Sequence, residues 1–130
     1  MKILFIGDCL TSVDILVGKF PTGETRVMLE ILNDEAGIAK EELIYTNMVN
    51  YYTPNLTKET IQKGNKELIA FVNKTRPDRI VFMGEIVFRF CKDTFPEAIT
   101  ITHPAMLYKN GGKRAFSYRD CVLKLAGLLA

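Results

Sequence analysis

Four short apolar runs punctuate this chain, and longer stretches of helical period separate them. Lys2 to Ile6 is the first, ended by Gly7-Asp8, the pattern of a parallel strand buried on both faces. Leu43 to Thr46 is the second, with Asn47 following it, and Arg79 to Met83 is the third, closed by Gly84. Ala98 to Thr102 is the fourth, rich in the β-branched residues that suit a strand. Thr22 to Gly37 predicts a helix with Val27, Leu29, Ile31, Leu32 and Ala36 on its apolar side and Gly37 as its carboxyl-terminal cap. Thr57 caps a second helix running to about Lys74, with Ile61, Leu68, Ile69 and Val72 buried. Thr60, three residues on, makes this a cap short of the full capping box. Glu85 to Lys92 predicts a short helix burying Ile86, Val87 and Phe90. Arg114 to Leu129 predicts the last, with Phe116, Val122, Leu125 and Leu129 inward. Cys9 to Pro21 has no clear period and reads as a long loop, as does Met48 to Asn55 with Tyr51, Tyr52 and Pro54. Loops of such length in compact domains are often functional.

Strand and helix therefore alternate four times, which implies a parallel sheet covered by helices on both faces. At 130 residues the chain is one domain, residues 1–130, large enough for a core. Hydrophobic content of 48% with 25% charged residues is ordinary for a globular protein. A net charge of +2 argues neither for nor against nucleic acid, so the placement of charge matters more. The apolar start is too short for a signal peptide, and no run approaches a membrane span. Cys9, Cys91 and Cys121 form no CxxC and are odd in number, so they read as reduced thiols in a cytoplasmic protein without a zinc or iron–sulfur site.

In open parallel sheets, ligands bind beyond the carboxyl ends of the strands. The residues there are Asp8, Asn47, Gly84 and His103, the chain's one histidine. No serine or cysteine sits with a base beside it, so a nucleophile triad is excluded. One histidine with scattered carboxylates lacks metal-ligand spacing, and Gly7-Asp8-Cys9-Leu10 lacks the GxGxxG turn of dinucleotide sites. An amide and an imidazole facing one pocket do suit a nucleobase. Asn offers a donor and an acceptor side by side, matching a pyrimidine edge, and imidazole can stabilise charge on a departing base. The structural alternative makes Asn47 a turn residue and Asp8 a cap. After His103, Pro104 stops the strand, and Met106 and Leu107 form an apolar tip. Lys109, Asn110, Gly111, Gly112, Lys113 and Arg114 then make a basic, glycine-bearing loop suited to a polyanion.

These residues, in this order, resemble the uracil-DNA glycosylase superfamily, most closely its thermophilic-type family 4 branch. Gly7-Asp8 resembles the first motif, where that branch has Gly-Glu-Ala-Pro-Gly, and Gly23 to Leu32 resembles its first helix. Tyr45-Thr46-Asn47-Met48-Val49 is similar to its Tyr-Ile-Thr-Asn-Val-Val strand end. Arg76 to Gly84 resembles its Arg-Pro-to-Leu-Gly strand, and His103-Pro104-Ala105-Met106-Leu107 its His-Pro-Ser-Ala-Leu loop. The likeness runs from Ile3 to about Leu125. It implies that Asn47 reads the uracil edge, that His103 stabilises the anionic base, and that Asp8 positions or activates water. It also implies that Leu107 wedges into the base stack while the target is flipped out. Three departures stand out. Leu10 and Thr11 replace the Pro and second Gly of the first motif. The aromatic that stacks on uracil lies in a Pro-Phe-Val-Gly run; here Phe20-Pro21-Thr22-Gly23 puts Phe20 one place off, as the candidate to stack. The iron–sulfur cysteines and the amino-terminal extension carrying two of them are missing, which suggests a trimmed form such as a phage or mobile element carries.

The expectation is a three-layer α/β/α domain with a four-stranded parallel sheet of order 2-1-3-4. It would be a monofunctional DNA glycosylase and a monomer, with DNA as its partner, no membrane and no cofactor. Asp8 and His103 would be catalytic, with Asn47 and Phe20 on the base. Pro104, Ala105, Leu107, Lys109, Lys113 and Arg114 would meet the DNA. The alternative is a non-catalytic binder of DNA, a nucleotide or a partner protein on the same fold. A flavodoxin-like flavin protein is a third option, and a colourless purified protein would dispose of a tightly bound flavin.

Overall fold

The computed structural model describes residues 1–51 and 56–130. Its parallel sheet is built from β1 (Ile3–Cys9), β2 (Leu43–Val49), β3 (Arg79–Met83) and β4 (Ile99–Ile101), in the order β2-β1-β3-β4. The architecture is thus the α/β sheet of order 2-1-3-4 that the alternation and the resemblance predict. Strand residues alternate between two apolar layers, as their period of two requires. Ile3, Phe5, Val81, Met83 and Ile101 face one core with α2 (Gly23–Ala36), α5 (Pro104–Lys109) and α6 (Tyr118–Gly127). Leu4, Ile6, Met48, Ile80 and Phe82 face the other, with α3 (Lys58–Thr75) and α4 (Glu85–Cys91). The first crossover uses α2 on one face, and the next two use α3 and α4 on the other. The sheet order therefore reverses beside β1, and a cleft opens there between β1 and β3.

Several local expectations change. β1 does not stop at Ile6: Gly7, Asp8 and Cys9 continue it, with Gly7 paired to Asn47 and Cys9 to Val49. β2 likewise runs on through Asn47 to Val49, so Asn47 is a buried strand residue and not a turn residue. The stretch read as the loop Cys9–Pro21 contains a helix, α1 (Ser12–Val17), closed at its start by a reciprocal capping box between Thr11 and Asp14. The Thr57 cap of α3 is also a full box, because the Thr60 hydroxyl accepts from the Thr57 amide at 2.9 Å. The last helix begins at Tyr118, after a single 3-10 turn at Gly112–Arg114, and Phe116 lies fully exposed before it. Val27, Ile69, Ile86, Phe90 and Leu129, assigned inward, are exposed; Met28, Val87, Cys91, Tyr118 and Cys121 take the buried places. Of the predicted loop Met48–Asn55, residues 52–55 lie outside the described residues.

Close approach fixes where α3 sits. Gly64 faces β2, and a Cβ built on it would fall 2.2 Å from the Met48 carbonyl oxygen, a backbone atom that cannot rotate away. On the opposite face, the Tyr118 hydroxyl donates to Glu35 and so ties α6 to α2. The Thr102 hydroxyl donates to Ser117 Oγ at 3.0 Å and anchors the end of β4 to the start of α6.

Gly64→Ala is expected to destabilise the fold by about 1–3 kcal/mol or more, since helix and strand must separate to admit a methyl group. Urea unfolding followed by circular dichroism would show the loss as a lowered midpoint.

Candidate active site

The carboxyl ends of the strands bring Asp8, Asn47 and His103 to one small pocket, together with Phe20 from the segment joining α1 to α2. Asp8 comes from the end of β1, and its Oδ1 accepts from the Cys9 amide at 2.8 Å. Asn47 stands beside it on β2, 1% exposed, and its Oδ1 has no partner among the described residues. A buried acceptor left without a donor costs about 1–3 kcal/mol, and this oxygen is able to accept an N–H. Phe20 packs edge-on against Tyr45, with ring centroids 6.5 Å apart and planes at 83°, and Tyr45 in turn packs on Phe5. The sequence pattern missed Tyr45 as the support of Phe20. Burial pushes its phenol up, Arg26 opposes that, and Glu30 adds to it.

His103 caps α5. Its Nδ1 accepts from the Ala105 amide at 3.1 Å, so the neutral ring carries its hydrogen on Nε2. Burial holds its pKa below the ordinary 6.5, Asp8 works against that, and Lys109 works with it. The result is a neutral donor at the edge of the pocket, with a carboxylate near enough to be felt electrostatically.

Asp14 is a second carboxylate in the pocket lining that the pattern missed. It is buried and fully engaged. Its Oδ2 accepts from the Thr11 amide and hydroxyl, both at 2.8 Å, and its Oδ1 from the Thr22 hydroxyl at 2.6 Å. Asp14 therefore ties α1 to the start of α2 and holds the Phe20 segment between them. The Thr11-x-x-Asp14 spacing, a capping-box signature, is the signal that could have found it. The pocket has a volume of about 50 Å3, room for a few waters only. Among the described residues, no three His, Cys, Asp or Glu side chains gather to hold a metal, and no helix is long and apolar enough to cross a membrane.

The segment after His103 differs from the expected loop. Pro104 and Ala105 form the first turn of α5, Pro104 buried and Ala105 half-buried. Leu107 is 0% exposed and packs in the core with α2, so it is not on the surface where a wedge must stand. The helical turn is the physical reason: it directs Leu107 inward and leaves its neighbour Met106 outward, 51% exposed. Lys109, Lys113 and Arg114 are exposed.

A family model described as the uracil DNA glycosylase superfamily matches residues 2–126 of the chain. A search of curated proteins finds no significant match.

Two outcomes are expected. Leu107→Ala should cost about 2–5 kcal/mol of stability, as for a buried leucine, and should affect single- and double-stranded substrates alike; unfolding curves and both activities on one preparation check this. For His103, the folded pKa lies below the unfolded 6.5, so the unfolded chain binds its proton first as pH falls. Its stabilising contribution is complete above about pH 6.5 and is lost as pH falls through the folded value. Between pH 7.5 and 5, wild type should therefore lose more stability than His103→Gln, as read by urea midpoints at each pH.

Proposed function

The chain belongs to the uracil DNA glycosylase superfamily, and on that premise we propose that it hydrolyses the N-glycosidic bond of uracil, or of a related damaged or modified pyrimidine, in DNA. The observation that carries the proposal is the unpartnered Asn47 Oδ1, buried in a pocket it shares with Asp8, His103 and Phe20. An acceptor fixed there matches the ring N–H of uracil and faces a lone pair in cytosine, so it discriminates between the two. Phe20 stacks on the base. As the bond breaks, positive charge grows on the sugar and negative charge on the base. His103, neutral and donating from Nε2, stabilises the anion without a proton transfer. Asp8 orients the attacking water and offsets the sugar cation. The reaction calls for no metal or organic cofactor.

The target base must leave the duplex to reach such a pocket. At about 50 Å3 the pocket is closed to it, so the Phe20 side, held through Asp14, must give way as the base enters. That closure also favours a second reading, a binder on the same fold that does not turn over.

Purified protein is expected to leave alkali-labile abasic sites in uracil-containing oligonucleotides, single- or double-stranded. His103→Ala and Asn47→Ala should each lower the rate by roughly 10²–10³. Failure with uracil, hypoxanthine and 5-hydroxymethyluracil at high protein concentration, with DNA still bound in a mobility-shift assay, would establish the binder instead.

A further inference from the structure

His103 lines a second cavity as well as the polar pocket. This cavity is a groove of about 550 Å3 along the free edge of β4, ten times the volume of the pocket beside it. Its surface is mainly apolar. Phe88 from α4, 37% exposed, and Met106 from α5, 51% exposed, line it over the buried Ile101 of β4. Two charged groups reach it, Glu85 at the start of α4 and Lys124 from α6. Lys124 is already committed: its Nζ donates to the Thr100 carbonyl at 3.0 Å and pairs with Asp120 at 3.3 Å, which blunts the strand edge. Lys92, one turn further on at the carboxyl-terminal cap of α4, sits over the Phe88 ring with its charge 5.4 Å from the centroid. Lys109 is exposed one turn beyond Met106 on α5.

A ligand suited to this groove has flat apolar faces, hydrogen-bonding edges and an attached negative charge. A nucleobase on its own strand has all three. His103 lines both the groove and the pocket, which sets them side by side at the carboxyl end of β4. Granting the DNA strand proposed above, on which the inference rests, we infer that the groove binds the base adjacent to the target. The base stacks on Phe88 and Met106, and its phosphates lie against Lys92 and Lys109. Glu85 sets the preference among bases. A carboxylate accepts from the exocyclic amine of cytosine or adenine and repels the carbonyl at the same place in thymine. The enzyme therefore reads one base of context beside its target, through residues that take no part in the chemistry.

The test uses single-stranded oligonucleotides with one uracil. The residue on one side at a time is cytosine, thymine or a tetrahydrofuran spacer with no base. Binding is followed by fluorescence anisotropy, and abasic-site formation is followed on the same strands. With wild type, the spacer on one side should weaken binding about tenfold, the scale of one stacked base, and cytosine should be preferred to thymine there. Phe88→Ala and Met106→Ala, both at exposed positions, should shrink the spacer penalty. Glu85→Gln should remove the preference for cytosine while keeping that penalty. Wild type that treats cytosine, thymine and spacer alike on both sides, or that binds none of the strands, overturns the inference. Absence of abasic sites from every strand overturns the glycosylase function instead, and the anisotropy contrast still decides the groove.

Discussion

The site depends on a side chain that is not there. Gly7 pairs with Asn47 across β1 and β2, and a Cβ at position 7 would stand 2.6 Å from Asn47 Oδ1. It would also meet the Phe20 ring at 3.2 Å and the Met83 methyl at 3.3 Å. Three side chains thus converge on the space above one residue, two of them lining the pocket. The parallel register brings Asn47 there, the α1–α2 connection brings Phe20, and Met83 of β3 approaches from the core. Any residue but glycine would push the carboxamide off its position, and the acceptor that defines the pocket would no longer face into it. Gly7 reads in sequence as the end of a strand. In the structure the strand runs on, and the glycine makes room.

The sheet was legible because its strands are apolar runs buried on both faces, a pattern that little else produces. Three of the residues brought to the pocket were legible for a related reason. Asp8, Asn47 and His103 follow those runs, and the topology delivers the ends of adjacent strands to one place. The short helices were not legible. α1 and α5 have six residues each, under two turns, so no apolar period can develop. Their signals are in the caps: Thr11 with Asp14 for one, His103 before Pro104 for the other. α4 shows the same weakness differently. In Glu85–Cys91 apolar residues occupy nearly every position, so sequence does not say which face is buried, and Val87 and Cys91 turn inward where Ile86 and Phe90 were expected.

That weakness has its largest consequence at Met106 and Leu107. In an extended loop two adjacent apolar residues could both project, and the position four beyond the histidine would be a natural wedge. In a helix they point about 100° apart, one to the core and one to solvent. The buried Leu107 then contributes to packing against α2, and the outward surface belongs to Met106. A motif matched in sequence thus keeps its residues and loses one role, because local structure decides which atoms reach the surface.

His103 couples the fold to the chemistry. Its Nδ1 is spent on the Ala105 amide, which starts α5 and fixes the tautomer. Protonating the ring would remove that acceptor and place a charge in a buried setting, and the nearby Asp8 offsets only part of the cost. Burial outweighs Asp8 in setting its pKa. The balance has a direct chemical meaning. In the proposed reaction a cation here would bind an anionic base tightly and would also pair with Asp8, withdrawing the carboxylate from its proposed work on the water and the sugar. A neutral donor would, in that proposed reaction, leave Asp8 its charge and still offer the departing base a hydrogen bond. The burial that keeps the ring neutral would therefore keep the two groups in separate roles in the proposed reaction.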